Sequence, residues 1–208
     1  MNKWIKYFIG IIILLFLGYN SIFFEKLSKR VSHKGVGMDV VSLAKKVWLE
    51  KLPSKVTAAI DIDSLEYMIA SSPAQTFTNY THSLALGNYK YVIVKGHAQV
   101  IKVGTDDISI QVQSRKPFNA FIEMEFIYGN TLRDALGIFK LNDFPNTDDL
   151  NNLSEELNKI VKREVVPSLK SSLKTGDNID FVGAIQLNEA HIHFDGLEIV
   201  PLTVKVVE

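Results

Sequence analysis

The hydrophobic pattern of this chain begins with an almost continuous apolar run over residues 7–24. With Trp4 and Ile5 before it, the run reaches the roughly 20 residues that a helix needs to cross a bilayer. A helix packed in a soluble core would show a polar stripe, and this run has none. The pattern therefore predicts an N-terminal transmembrane helix that serves as a membrane anchor over residues 1–24.

A cleaved signal peptide is the alternative interpretation of this segment, since such peptides also place basic residues before an apolar stretch. Signal peptides end in small residues, typically alanine, whereas the first alanine of this chain is Ala44. That difference favours an uncleaved signal anchor. Lys3 and Lys6 precede the run and Lys26 and Lys29 follow it, so charge alone leaves both membrane orientations open.

The segment after the run is first polar and then helical in its pattern. Residues 25–37 are mostly polar and basic, which is typical of a juxtamembrane stalk. Over residues 38–90 apolar positions recur mainly at helical spacing, and Asp39 stands where it can cap the first helix. Asp61 or Asp63 can cap the next one. We therefore expect a small helical region at 38–90.

From residue 91 onward the period changes, and apolar and polar residues alternate. The alternation predicts five strands, near 91–103, 108–114, 119–128, 179–187 and 197–207. A helical stretch at 147–173 stands between the third and fourth strands, and Pro167 is expected to kink or break it. Residues 191–194 are a candidate for one further short strand before the Asp195-Gly196 turn.

The predicted order of elements is three strands, a helical excursion and two strands. A five-stranded Greek-key barrel of the oligonucleotide/oligosaccharide-binding (OB) type has this order. The predicted fold is therefore α+β. It consists of the transmembrane helix, the small helical region, and an OB-like barrel over residues 91–208 with a helical insertion at 130–176. Some other α+β sheet folds have a compatible pattern.

Composition narrows the classes of function. Lys and Arg number 23, as do Asp and Glu, so the formal net charge is zero, which argues against a nucleic-acid partner bound through counterion release. The chain has no cysteine, which excludes disulfides, thiolate zinc sites, thiol catalysis and lipid attachment through a cysteine. It also lacks the G-x-S-x-G, H-E-x-x-H and P-loop patterns. We therefore expect no catalytic activity and no cofactor.

The first candidate site lies where the third strand meets the helical excursion. Thr131 is expected to cap a helix there, with Asp134 bonding back to its amide. Free amides at that helix start could bind an anion together with Arg133 or Arg115. The interpretation that we favour is structural: Thr131, Arg133 and Asp134 would form an internal hydrogen-bonded brace between barrel and helix, because polar groups at a helix start normally satisfy their own backbone.

A weaker candidate is a metal site. Glu189, His191, His193 and Asp195 are spaced by two, so in an extended strand all four side chains would share one face. Two imidazoles flanked by carboxylates suit zinc or another divalent ion. The alternative is a solvated strand face just before a hairpin turn.

A third candidate is an aromatic stacking platform for sugars. Its members would be Tyr80, Tyr89 and Tyr91 with His82 and His97. Aromatic residues at alternating spacing are more often part of a core, and that interpretation is preferred here.

The central motif also resembles a known family. Residues 128–136, with the sequence Tyr-Gly-Asn-Thr-Leu-Arg-Asp-Ala-Leu, and the following Asn142-Asp143-Phe144 are similar to the central motif of a bacterial family of predicted periplasmic lipoproteins, domain of unknown function 2291. Matching stretches also occur in the first, fourth and last predicted strands, so the similarity extends over about residues 38–207. They are Val94-Lys95-Gly96, Phe181-Val182-Gly183-Ala184 and Val200-Pro201-Leu202.

The resemblance implies a barrel outside the cytoplasmic membrane and an association with sugar-type ABC transport systems, and it implies no activity. Lipoproteins of this family need a lipidated cysteine, which this chain lacks. The expected anchor is therefore the N-terminal helix, with the C-terminal domain extracytoplasmic and the protein crossing the cytoplasmic membrane once.

Together these observations predict a membrane-anchored, extracytoplasmic, non-catalytic binding or accessory module. Its expected partners are the membrane and an ABC transporter or its solute-binding protein. One alternative is a structural envelope protein. The other is a metal-dependent hydrolase that uses the face formed by Glu189, His191 and His193.

An uncleaved anchor has a direct signature in the mass of the mature protein. We expect intact-mass spectrometry of the protein from membranes to find the N-terminal apolar run still attached, because no alanine precedes Ala44. A mature chain that begins after residue 20 would show that the segment is a signal peptide.

Overall fold

The N-terminal segment of the chain is helical. A computed structural model describes residues 3–21 and 38–207 and divides the chain into a unit of residues 1–37 and a unit of residues 38–208. In the first unit, helix α1 extends over Lys3–Ser21. Within the described ranges, no helix combines the length and the apolar character needed to cross a membrane. The predicted transmembrane anchor is therefore not confirmed, and the predicted stalk at 25–37 lies outside the described residues.

The second unit begins with short helices. They are α2 (Val40–Lys46), a π-helical turn (Val47–Lys51), α3 (Leu52–Thr57), α4 (Ile62–Ser71) and α5 (Pro73–Tyr80). The Asp39 carboxylate accepts a hydrogen bond from the Ser42 amide at 3.0 Å, and Asp61 accepts one from the Ser64 amide at 2.9 Å. Both aspartates therefore cap helices, as their positions in the sequence predicted.

A closed five-stranded barrel follows. Its strands are β2 (Tyr89–Val103), β3 (Asp107–Val112), β4 (Phe118–Glu123), β5 (Asn178–Asn188) and β6 (Leu197–Val207), and a two-residue strand β1 (Ile60–Asp61) adds to β2 in parallel. The order is β2-β3-β4-β6-β5, and β5 pairs back onto β2 to close the barrel. Neighbours in the barrel are antiparallel except β4 and β6, which run parallel. The predicted OB-like barrel is confirmed.

The barrel interior follows from the alternation of each strand. On β3, for example, Ile108, Ile110 and Val112 are fully buried, while Gln111 between them is exposed. Where β5 meets β6, the register shifts at Gly183, and a Cβ on that glycine would overlap Ile199 and lie 2.8 Å from the Val200 carbonyl oxygen. A side chain at position 183 would thus separate the two strands, which explains the glycine.

The excursion between β4 and β5 is helical. It comprises α6 (Thr131–Ala135), a 3-10 turn (Leu141–Asp143), α7 (Thr147–Glu164) and α8 (Val166–Ser172). The Asn146 side chain caps α7 by accepting a hydrogen bond from the Asp149 amide at 2.7 Å. Helix α7 ends just before Pro167, which lies in the first turn of α8, so the predicted break is confirmed.

The structure departs from the predicted strands at two places. The third strand ends at Glu123 rather than near residue 128, because the amides of Met124 and Glu125 both donate to the Asp106 carbonyl oxygen in the turn before β3, at 2.9 Å each. The predicted short strand at 191–194 is wrong. The chain turns there, with the His191 amide bonded to the Asn188 carbonyl oxygen at 3.1 Å.

Candidate functional site

An open groove of about 870 Å³ lies along helix α7. One wall is a face of α7 from Thr147 to Lys162, and the other walls are the chain at 84–86 and at 127–130, with Leu141 contributing from the 3-10 turn. We call this cavity the α7 groove. Its volume falls within the roughly 300–1,000 Å³ typical of small-molecule sites.

The floor of the α7 groove is apolar. Ile127 and Leu150 belong to the buried core, Leu84 packs against that core, and Leu141 keeps 56% of its surface exposed. Polar side chains, among them Asn151 and Lys159, stand along the rim formed by α7. An apolar floor with a few polar groups at its edge is the usual composition of a ligand site.

Behind the groove wall lies a buried charge pair. Arg133 and Asp134 on α6 keep 5% and 0% of their side-chain surface exposed, and the Arg133 Nε donates to Asp134 Oδ1 at 2.7 Å. The Arg133 Nη1 also donates to the Leu150 carbonyl oxygen at 3.2 Å and to Ser154 Oγ at 3.0 Å, both on α7. The guanidinium therefore ties α6 to α7.

Asn130 extends this network toward the barrel. Its Nδ2 donates to Asp134 Oδ2 at 2.6 Å, and the hydroxyl of Tyr91 on β2 lies 3.5 Å from its Oδ1. Burial raises the pKa of the Tyr91 phenol above its usual value. A second tie runs from Asn158 Nδ2 on α7 to the Gly129 carbonyl oxygen at 2.9 Å. Barrel, α6 and α7 are thus joined by one set of hydrogen bonds.

Thr131 and Arg115, two residues of the first candidate site, do not have the roles expected from the sequence. The predicted capping role of Thr131 is wrong: Asn130 is the N-cap residue of α6, Thr131 is its first helical residue, and the Asp134 carboxylate binds Asn130 and Arg133 side chains. Arg115 lies in the turn between β3 and β4, where its amide donates to Asp63 Oδ1 at 2.7 Å and its guanidinium carbon lies 4.6 Å from the centre of the Tyr67 ring. Arg115 therefore braces helix α4.

The predicted metal residues occupy a turn and its flanks, so they do not share one strand face. Glu189 lies 3.7 Å from the Lys90 ammonium, and Asp195 accepts a hydrogen bond from the Asn119 amide at 2.9 Å, while His191 and His193 are exposed. In residues 3–21 and 38–207, no group of three His, Asp or Glu side chains is placed to hold a metal ion.

The five residues of the predicted aromatic platform have different surroundings and do not form one surface. Tyr91 is only 5% exposed and therefore offers no face for stacking. Tyr80 lines a cleft between α4 and α5, and His97 contacts Asp180 across β2 and β5. His82 lines a small polar cleft of about 240 Å³ with Arg133 and Asp134, and burial lowers the pKa of its imidazole. Tyr89 is exposed at the start of β2.

The charges on the groove rim differ in how they are compensated. The Lys159 ammonium binds Glu155 at 2.7 Å and Glu156 at 2.9 Å, and these hydrogen bonds raise the pKa of Lys159. The Lys162 ammonium lies 4.5 Å from the centre of the Tyr128 ring, within the range of a cation–π contact. Lys159 is therefore neutralised by carboxylates of its own helix, whereas Lys162 contacts an uncharged ring.

A second cleft of about 460 Å³ shares residues 128–130 with the α7 groove. It contains Glu123 at the end of β4 and Glu198 on β6. Burial, and then the neighbouring Glu198 charge, raise the pKa of Glu123 to about 7, and Lys162 acts in the opposite direction. The Glu123 carboxyl is therefore partly protonated near neutral pH.

Sequence reasoning singled out Arg133 but missed the groove next to it. The groove combines three segments that are distant along the chain, and each segment alone has an ordinary pattern. The available signal was the recurrence of Asn151, Asn158 and Lys162 on one side of an otherwise amphipathic helix.

Comparisons with known proteins support the fold and the family resemblance. Residues 12–205 match the model of a family described as predicted periplasmic lipoprotein, domain of unknown function 2291, which confirms the resemblance seen in the central motif. The crystal structure of an OB-fold protein from Thermotoga maritima is similar, with a TM-score of 0.71 and 26% sequence identity over 83% of this chain and 100% of that one. No curated protein matches the sequence.

The buried ion pair Arg133–Asp134 should contribute far more to stability than the exposed ion pair Arg163–Glu164. Replacing Arg133 or Asp134 by Ala should lower the free energy of unfolding by about 3–5 kcal/mol, because the remaining charge stays buried without its partner. Arg163 and Glu164, also adjacent and 2.8 Å apart, are 60% and 50% exposed, so Arg163→Ala should cost roughly 0–1 kcal/mol. Thermal melts of the three variants measure the difference. Equal melting temperatures for R133A and R163A would contradict the structural role.

Proposed function

Because the chain belongs to this family of predicted periplasmic lipoproteins, we propose that it is a non-catalytic binding module held at the outer face of the cytoplasmic membrane, with the α7 groove as its ligand site. The observation that carries the proposal is the open groove of about 870 Å³ with an apolar floor. Leu86 and Leu141 expose much of their surface along the groove, so an apolar ligand that covered them would gain about 25 cal/mol for each Å² removed from water.

The absence of catalysis is proposed from the way the charged groups are used. The Nε of Arg133 donates to Asp134, and its Nη1 donates to Ser154 and to the Leu150 carbonyl oxygen. Lys159 is bound by two glutamates. Side chains that are held in this way position the walls of a cavity, whereas a catalytic group must be able to reach the substrate.

The proposed anchor is the N-terminal segment, in a single pass. Its support is the apolar run over residues 7–24 and the lack of any cysteine for lipid attachment. In this arrangement the C-terminal unit is extracytoplasmic, in agreement with the periplasmic description of the family.

The groove is tested most directly with a neutral, photoactivatable hydrocarbon probe, added to membranes that contain the full chain. Peptide mapping by mass spectrometry should find the label on residues 127–130 and on α7. Leu141→Asp places a charge in the groove at a position that is 56% exposed, and we expect it to reduce this labelling several-fold. Leu49→Asp is the matched control, because Leu49 is 73% exposed and lies outside the groove. Groove labelling that is absent, or equal in both variants, would contradict the proposed function.

The proposed partner is a sugar-type ABC transporter or its solute-binding protein, as the family resemblance suggested. Co-purification from detergent-solubilised membranes should then recover transporter subunits with the full chain. Recovery of other envelope proteins alone would favour a structural envelope role instead.

A further inference from the structure

We propose that the α7 groove binds a long-chain fatty acid, with the hydrocarbon chain on the apolar floor and the carboxylate at the Lys162 ammonium. This inference rests on the proposed function and adds to it the chemical class of the ligand.

The charges that line the groove are not all paired. Three cations line the groove, and two are compensated inside the protein: Arg133 by the buried Asp134, and Lys159 by Glu155 and Glu156. In the described part of the chain, Lys162 makes no ion pair with a carboxylate, and its ammonium rests on the Tyr128 ring. Among these three cations, Lys162 is therefore the one that is not paired with a carboxylate.

The groove is long and runs along α7. Its lining residues on α7 run from Thr147 to Lys162, which at 1.5 Å per residue is a length of about 22 Å. Along α7, Leu150 lies in the first half of this length and Lys162 stands at its end. A long cavity with an apolar lining and an ammonium at one end is complementary to a linear molecule with one anionic end.

The anionic group that suits Lys162 is a carboxylate. Lys162 is a half-buried residue, and its one ammonium at the end of an aliphatic stem matches a single carboxylate. A phosphate ester is usually held by several donors or by a planar guanidinium, and the guanidinium in this groove is already committed to Asp134 and Ser154. The nearby Glu123 does not hold Lys162 as a full anion near neutral pH, since its pKa is raised to about 7 by burial and by Glu198.

The test uses washed membranes that contain the full chain, without ATP or coenzyme A, so that an added fatty acid stays unesterified. A palmitic acid analogue that carries a diazirine is cross-linked, and the labelled peptides are mapped by mass spectrometry. We expect labelling within residues 127–130 and α7, and we expect palmitate to compete roughly tenfold better than methyl palmitate, the size expected for one charge-assisted hydrogen bond. Lysophosphatidic acid, which offers a phosphate, should also compete less well than palmitate.

Lys162→Gln keeps a hydrogen-bonding side chain but removes the charge, and we expect it to reduce groove labelling by the palmitic acid analogue roughly tenfold. Lys170→Gln is the matched control, because Lys170 is an exposed lysine on α8 outside the groove lining. K162Q should reduce labelling by the palmitic acid analogue far more than labelling by the neutral hydrocarbon probe, because only the fatty acid carries a carboxylate for Lys162. K170Q should change neither.

Three results would overturn the inference: methyl palmitate or lysophosphatidic acid competing as well as palmitate, K162Q labelling like the wild type, or fatty-acid labelling confined to residues 1–24. If the neutral probe still labels the groove in these cases, the proposed binding function stands and the fatty-acid assignment fails. If neither probe labels the groove, both proposals fail.

Discussion

Closure of the barrel is the constraint on which the rest of the structure depends. Strand β2 pairs with β5 from Tyr89 to Gln99, and the second half of β2 pairs with β3. Strand β2 is therefore the first strand of the barrel and also the one whose pairing with β5 closes it. Strand β4 can then complete the barrel only by pairing in parallel with β6. Strand β5, which comes next in the chain, pairs with β2 and β6 rather than with β4, so a tight turn cannot connect β4 to β5 and the chain leaves the sheet after β4. The excursion with α6, α7 and α8 is the result, and the groove lies along it.

The buried Arg133 fixes where this excursion lies. Its hydrogen bonds to Asp134, to Ser154 and to the Leu150 carbonyl oxygen are directional, whereas the apolar contacts around them would tolerate small displacements of α7. Apolar side chains of similar volume could supply comparable stability, because the desolvation penalty of a buried ion pair offsets much of the attraction between its charges. We infer that the pair serves position rather than stability: it holds the wall of the groove at one distance from the barrel.

Much of the fold could be predicted from the sequence because its signals are local. Apolar and polar residues alternate along β2, β3, β5 and β6, and this alternation can be seen within each strand. The break of the helical excursion at Pro167 likewise depends only on neighbouring residues. The early end of β4 depends on the carbonyl oxygen of Asp106, which belongs to another turn, and no pattern within residues 119–128 carries that information. The spacing of residues 189–195 by two is compatible with a strand as well as with a turn, and local hydrogen bonds decided for the turn.

The site was harder to predict than the fold for the same reason. Arg133 and Asp134 could be recognised as a motif because they are adjacent and lie between apolar residues. The groove could be predicted only by knowing that residues 84–86 line the same cavity as α7, and these segments are distant along the chain. Lys162 illustrates the point: on the helix alone it looks like any solvated lysine, and only its place above Tyr128 distinguishes it from Lys159.

The pairing of Tyr89 with Asn188 has a consequence for the order in which the molecule folds. Strands β2, β3 and β4 are joined by short turns and can form a meander as soon as they leave the ribosome or the translocation channel, whereas β5 and β6 come later along the chain. Until they arrive, the outer edges of β2 and β4 expose unpaired backbone groups, the kind of surface on which chains join one another. Contacts between strands so distant in sequence form slowly. The interval before β5 docks is therefore the period in which the growing chain is most open to aggregation and to capture by chaperones.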